Sequence, residues 1–459
     1  MTTRRSSLLR SVSFGFVAAM ALMATQVESA WARAGIRDAE IERILRGYSD
    51  PIFKAAGLDE KAVAVMIIND KSLNAFVAGG QNVFINTGMI MTLDTPNELK
   101  GVIAHETGHI SGSHLARGPE AMSKAEVPML VGMLVGVAAI AAGAPDIGMA
   151  LLMGSQSIAQ REVLAYSRTQ ESAADQAGAK FLNATGQSPR GMLGVFDRFA
   201  DQEAMSGYRQ DPFVRSHPLS RDRIAALQGI VESSKYKDRT DTAREIADYA
   251  LMRGKLRGFI ESPEVVLRLY PRSDRSAAAR YARAAAYFRA ADLDQAIPEI
   301  DSLIAERPDY AYFWELKGQI YVESSRPKDG LPAYRKAAEL APNEPLIQAS
   351  LGAALLAASD DGDLTAVPEA KKHLQLAIKS EPDNAMAWYY LADAHSRSGN
   401  DAMAALATAE RYFALQGYGQ AATFAQRAQA KLKEGSNDWQ RANDILAVAQ
   451  AEAAQKRDR

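Results

Sequence analysis

His105-Glu106-Thr107-Gly108-His109 is the spacing in this chain that points most directly to chemistry. Read as a helix, it places two imidazoles one turn apart on one face, about 6 Å along the axis. That separation suits two nitrogen ligands of a single metal ion. Glu106, adjacent to the first His, can reach a water in the metal's open position and act as general base. The 459 residues include no Cys and only six His, four of them (His105, His109, His114 and His217) in the first half. A disulfide framework and a thiolate metal site are therefore excluded, and His and carboxylates remain as the strong ligands for a borderline metal such as zinc.

A zinc site with two His needs a third protein ligand and an open position. The stretch 165–175 (AYSRTQESAAD) reads as a second helix with Glu171 and Asp175 four apart on one face. Glu171 would complete a two-His, one-Glu set, and Asp175 would accept the free N–H of a ligating imidazole. The alternative is that both acids are solvated or paired with Arg168. Further on, Ser216-His217-Pro218-Leu219-Ser220-Arg221-Asp222-Arg223 sets a rare His beside a Pro in a loop and then opens another helix. Such a His, with Arg223, can stabilise the oxyanion of a tetrahedral intermediate, or the His can cap the metal at rest. A loop His without a role is the competing explanation.

These side chains need elements to hold them. Thr95-Pro96-Asn97-Glu98 supplies an N-cap, a first-turn Pro and an early acid ahead of the two-His motif, and Leu99, Val102, Ile103 and Ile110 recur at helical spacing. The motif is thus expected on an amphipathic helix. Upstream, 36–55 alternates apolar and charged residues as a helix. Stretches 63–68, 75–78 and 83–86 read as strands, with Gly79-Gly80 and Gly88 as turn signals. An exposed edge strand beside the metal helix could hold an extended peptide through main-chain hydrogen bonds, though a sheet that only buries one face fits these residues equally.

The flanks bear on location. Arg4, Arg5 and Arg10 precede an apolar run over 12–24, and the small residues Ala30, Ala32 and Ala34 offer cleavage points, so 1–34 reads as an export signal. The Arg4-Arg5 pair raises a twin-arginine route, but Ser6-Ser7-Leu8 matches it poorly, which favours general secretion to a bacterial periplasm. An uncleaved anchor is the alternative. Between the two metal-site helices, 127–144 carries no charge, and a second apolar stretch follows over 147–158. A helix of 18 residues spans about 27 Å, short of a ~30 Å hydrocarbon core, and Pro128, Gly132, Gly136 and Gly143 weaken it. A helical hairpin packed on the protein is the better expectation. It could make peripheral contact with a membrane or act as a flap over the cleft. The balance of 53 basic against 55 acidic residues excludes a nucleic-acid partner class.

The second half changes character, from about 242 to 430, into Ala-rich helices punctuated by Arg307-Pro308, Ala341-Pro342 and Glu381-Pro382. The first interval is 34 residues, and the second is 40, with 360–365 (DDGDLT) supplying the extra six. Trp314, Gly318 and Tyr321, and again Trp388, Ala392 and His395, repeat a large, small, large pattern of paired helices. This period resembles tetratricopeptide repeats, whose solenoids bind segments of other proteins. Trp314, Tyr321, Trp388 and Tyr389 are expected to be packing residues, and His373 and His395 surface or packing residues.

Taken in order, the HETGH helix, the SRTQESAAD helix and the HPLSRDR segment resemble the HtpX and CAAX-prenyl-protease family of zinc metallopeptidases over about 74–227. The resemblance implies one Zn2+ held by His105, His109 and Glu171, with Glu106 as base and Asp175 in support. It also implies that His217 and Arg223 lie near the active site, with His217 a fourth ligand in a latent form. The fold expected is mostly α with a small β-sheet: a gluzincin-type α+β metalloprotease domain, then an α-solenoid of repeats. The divisions expected are 1–34 signal, 35–240 peptidase, 241–275 connecting or capping helices, 276–430 repeats and 431–459 C-terminal helix and tail. The function implied is a periplasmic zinc endopeptidase whose repeats bind protein substrates and envelope assembly machinery, acting in quality control and assembly of outer-membrane and envelope proteins. A repeat-based chaperone or adaptor with a latent zinc site, and a membrane-anchored quality-control protease, are the alternatives.

Overall fold

The computed structural model describes residues 35–112, 168–206, 217, 220–359 and 363–457. The export-signal segment 1–34, His114, the apolar stretches within 127–158 and Asp360 to Gly362 of the repeat insertion lie outside the described residues. Among the described residues no helix is long and apolar enough to cross a membrane. The chain divides into two compact units, one over 42–250 with the strand at 35–36, the other over 251–459 together with Arg37–Ile41.

In the first unit, a four-stranded sheet precedes the two-His motif in sequence. Strands β1 (Gly35–Ile36), β2 (Val65–Ile68), β3 (Ala75–Ala78) and β4 (Asn82–Asn86) lie in the order β1-β2-β4-β3. The β3–β4 pair is an antiparallel hairpin closed by Gly79 and Gly80, both with positive φ, which only Gly adopts without strain. The β2–β4 pair is parallel, with Val65 opposite Val83 and Ile68 opposite Asn86. Strand β3 is an edge strand, and β3 and β4 both pack against helix Pro96–Ser111.

That helix begins as its sequence dictates. Thr95 Oγ1 accepts from the Glu98 N–H at 3.2 Å while Glu98 Oε2 accepts from the Thr95 N–H at 3.1 Å, a complete capping box with Pro96 in the first turn. Its burial departs from the amphipathic expectation: Glu98 to Ile110 are buried without a break. The cause is that the helix is covered on every side. Lys100, the one cation on it besides the His pair, is buried because its Nζ meets Asp241 Oδ1 at 2.9 Å.

The second unit is a series of antiparallel helix pairs from Ala277–Arg289 to Asn437–Arg457, preceded by Ala243–Ile260 and Pro263–Leu269. Helices Leu293–Glu306, Pro327–Leu340 and Val367–Ser380 each stop one or two residues before the punctuating prolines Pro308, Pro342 and Pro382. The period is visible in a recurring hydrogen bond. Trp314 Nε1 donates to Pro308 O at 2.9 Å and Trp388 Nε1 to Pro382 O at 2.8 Å, and in the repeat between them Gln348 Nε2 donates to Pro342 O at 3.1 Å. The two indoles are thus packing residues with a satisfied N–H.

Candidate metal centre

Two helices bring the site together. The first is Pro96–Ser111; the second is helical over 168–184 and carries Glu171 and Asp175. They approach closely because glycines sit at the crossing. A Cβ on Gly108 would lie 2.7 Å from Ala174 O, and one on Gly178 would lie 3.0 Å from Ala104 O. Ala174 stands between Glu171 and Asp175, so the contact at Gly108 sets how near those carboxylates come to the imidazoles. Helix Arg221–Ser233, capped by Ser220 Oγ accepting from the Arg223 N–H at 3.2 Å, delivers Arg223.

His105, His109, Glu171 and His217 are all buried, and one ligand atom from each lies within 4.8 Å of the others. His105 Nδ1 donates to Asp175 Oδ1 at 2.9 Å, which turns its Nε2 toward His109 Nε2 at 3.1 Å and His217 Nδ1 at 3.2 Å. Glu171 Oε2 is 3.4 Å from His105 Nε2, and its Oε1 is 3.4 Å from His109 Nε2. His217 Nδ1 is 3.1 Å from Glu171 Oε2. Three ring nitrogens converging at hydrogen-bond distance beside a carboxylate bring together donors that could bind one metal ion. A set of nitrogen and carboxylate donors of this kind fits a divalent metal.

The electrostatics agree. Burial by itself depresses the His105 pKa, yet hydrogen bonds to Asp175 and Glu171 hold it up, to about 10. Burial acts to raise Glu171, but hydrogen bonds from His105 and His217 carry it well below the usual carboxylate range. Asp175 is lowered in the same way by His105 and Arg223 against its burial. The pocket therefore favours a positive centre faced by ionised carboxylates. Glu106 behaves differently. It is 1 % exposed, and burial pushes its pKa up against the opposing pull of His217 and His105. Its Oε1 makes no hydrogen bond among the described residues and lies 3.5 Å from His217 Nε2. A carboxylate so placed can accept a proton at the mouth of the cluster.

Every site residue expected from the sequence is found at this cluster: His105, Glu106, His109, Glu171, Asp175, His217 and Arg223. Arg223 differs in its attachment. Its Nε and Nη2 grip Asp175 at 2.7 and 2.9 Å, its Nη1 is 3.1 Å from Glu171 Oε2, and its Cζ lies 5.1 Å over the Phe196 ring. The guanidinium bonds two carboxylates of the cluster. Sequence reasoning did not find Phe196, Gly178 or the structural part of Gly108. The glycines left a faint signal, one inside the two-His motif and one seven residues after Glu171; Phe196 left none.

A family model described as peptidase family M48 matches residues 36–231, and a tetratricopeptide-repeat model matches 281–345 and 355–419. Among known proteins, the chain is similar to the beta-barrel assembly-enhancing protease of Escherichia coli (strain K12), 25% identical over 377 residues, covering 81% of this chain and 75% of that one. It is likewise similar to the beta-barrel assembly-enhancing protease of Yersinia pestis, 26% identical over 380 residues, with 81% and 75% covered. A more distant similarity is to the mitochondrial metalloendopeptidase OMA1 of Saccharomyces cerevisiae, 28% identical over 217 residues, covering 46% of this chain and 58% of that one.

Proposed function

Because the chain joins a peptidase family M48 domain to tetratricopeptide repeats and is a metalloendopeptidase, we propose that it is a zinc-dependent endopeptidase of the periplasm acting in quality control and assembly of envelope proteins. The observation that carries the reading is the convergence of His105, His109, Glu171 and His217 beside the unbonded Glu106 Oε1. His105 and His109 through Nε2, and Glu171 through its carboxylate, would hold the zinc. When bound, zinc supplies a Lewis acid for the scissile carbonyl and lowers the pKa of water. Glu106 takes a proton from the attacking water and returns it to the leaving amine; its raised pKa suits it to both tasks. Asp175 fixes the tautomer of His105 by accepting from Nδ1, and Arg223 holds Asp175 and Glu171 in place. Strand β3, the last of the described strands on that side of the sheet and packed against the metal helix, could present an extended peptide in register by main-chain hydrogen bonds, so that cleavage need not depend on one side chain. The export-signal pattern expected over 1–34 supports the periplasmic part of the reading, and the name of the similar beta-barrel assembly-enhancing proteases supports the assembly part. The proposed divisions are 35–240 for peptidase, 241–275 for the connection, 276–430 for repeats and 431–459 for the C-terminal helix and tail.

A second reading draws on one feature of the site. His217 closes the cluster into four protein donors, the pattern of a structural or latent site, whereas a catalytic one keeps a position open. A chaperone or adaptor working through its repeats would have such a site.

Glu106→Gln separates the two readings. It is expected to keep one zinc per chain by elemental analysis while kcat/KM on an unfolded protein substrate falls about 10²–10⁴-fold, and to retain periplasmic clients that the active protein releases. Activity at the wild-type level would remove Glu106 as base. A variant that fulfils the cellular role unimpaired would favour the chaperone reading.

A further inference from the structure

The last repeats carry a groove between helices Ala385–Arg397, Asp401–Ala414 and Tyr418–Gln429, with a volume of about 700 Å³. Its floor is apolar and low, made of small residues such as Ala392, Ala404 and Ala405, and Tyr389 stands at it 49% exposed. The charges lining it fall into two sets. Asp393 is neutralised by Arg397 at 2.9 Å, and Asp401 by Lys431 at 2.8 Å. Arg411 and Arg427 make no ion pair with a described carboxylate. Instead Arg411 Cζ lies 4.8 Å over the Tyr389 ring and 5.4 Å over Tyr412, while Arg427 Cζ lies 4.9 Å over Phe424.

A guanidinium drawn to an aromatic face by cation–π attraction is held in place without using up its donors. Its N–H groups stay available in the fork geometry that matches a carboxylate. Two such forks in one groove, with the local acids already paired, leave an uncompensated positive charge above an apolar floor. A ligand that fits is extended or helical, apolar on one side and anionic on the other.

We propose that this groove binds an acidic segment of a partner protein, two of whose carboxylates engage Arg411 and Arg427 while its apolar side chains lie on the alanine floor and against Tyr389. The proposal rests on the reading that the repeats bind protein segments, and it adds where and by what chemistry. Arg411 and Arg427 lie outside the peptidase machinery, so their substitution acts on recruitment alone.

The test uses the full chain in the Glu106→Gln background, so that no probe is cleaved. The probes are a fluorescein-labelled peptide in which Glu alternates with Leu and Phe, and the same peptide with Gln for Glu. Fluorescence anisotropy is expected to show the Glu peptide binding about tenfold or more tightly than the Gln peptide, with the difference shrinking as salt rises. Arg411→Gln with Arg427→Gln should erase that preference, and Arg411→Glu with Arg427→Glu should transfer it to a Lys counterpart, a gain that misfolding cannot produce. Equal binding of the Glu and Gln peptides, or a preference that survives the double Gln variant, overturns the proposal. Client retention keeps the two levels apart. If the Glu106→Gln protein retains clients and the added Arg substitutions release none of them, the groove proposal fails and the broader reading stands. If the Glu106→Gln protein retains no client at all, both fail.

Discussion

Arg223 reaches the site through two carboxylates. Its two bonds to Asp175 and one to Glu171 tie the carboxylate proposed as a metal ligand and the acceptor of the His105 Nδ1–H to one planar group, and the Phe196 ring lies over it. His217 is the residue whose role is least determined by type and most by position. It bonds Glu171 with Nδ1 and faces Glu106 with Nε2, which places it between the donor set and the base. If it closes the site at rest, His217→Ala opens it, and basal peptidase activity rises; a resting fraction of nine-tenths would give about a tenfold increase. Initial rates on a denatured protein substrate check this. A fall of about 10²–10³-fold would make His217 an oxyanion donor instead, and an unchanged rate would remove it from the site. At this scale much was legible in the sequence, because ligand chemistry restricts residue type. His105 and His109 stand out in a chain with six His and no Cys, whereas Glu171, one of 55 acidic residues, was marked by its helical spacing from Asp175 and by the family resemblance. The carboxylate contacts of Arg223 were not legible, since type and spacing suit an Arg to an oxyanion or to a carboxylate alike, and the pairing with Asp175 and Glu171 is a matter of distance.

Between elements, the crossing at Gly108 and Ala174 converts two separate helices into one donor set. Gly108→Ala puts a Cβ 2.7 Å from a backbone oxygen that has nowhere to go, so the helices must part by a few tenths of an ångström or more. We expect overpacking to cost about 1–3 kcal/mol and zinc affinity, read by competition with a chelating dye, to fall about 10–100-fold as Glu171 is drawn away. Wild-type affinity in a folded Gly108→Ala protein would mean that the ligands do not depend on this contact. The start of the metal helix was readable residue by residue because capping is local chemistry. The parallel β2–β4 pair and the burial of the whole helix depend on partners distant in sequence, so periodicity alone pointed to an amphipathic surface. The repeats show the same limit. Their turns place Ala291 and Ser325 at φ 58° and 61°, where Gly is the usual residue, and in the corresponding turn Gly399 does stand there. The 34-residue spacing revealed the repeat where turn composition could not.

At the scale of the molecule, the repeat unit is completed by a segment far from it in sequence. Arg37–Ile41 belong to that unit, and Glu40, fully buried, accepts from Tyr281 at 2.7 Å and Tyr310 at 2.6 Å. Lys255 Nζ lies 2.8 Å from Asp38 and 3.3 Å from Glu40. Glu315 faces the same cluster, its Oε2 buried and without a hydrogen bond among the described residues. Burial, with Asp38, Glu40 and Glu344 adding to it and Lys255 opposing, pushes its pKa from 4.5 up to about 8. Lys255 does not offset burial and the neighbouring acids, so the protonated form of Glu315 is favoured at neutral pH. Between pH 4.5 and about 8 the folded chain holds a proton that the unfolded chain has released, and the stability of this unit falls as pH rises through that window, by up to about 1.4 kcal/mol per pH unit. Above the window the loss levels off. Trp314, Trp388 and Trp439 lie in the repeat unit and Trp31 is the only other tryptophan, so intrinsic fluorescence follows this unfolding. Denaturant midpoints at pH 6 and pH 8.5 should separate clearly in the wild type and draw together in Glu315→Gln, whose amide carries no titrating proton. Midpoints that move by the same amount in both proteins would place the sensitivity elsewhere in the cluster.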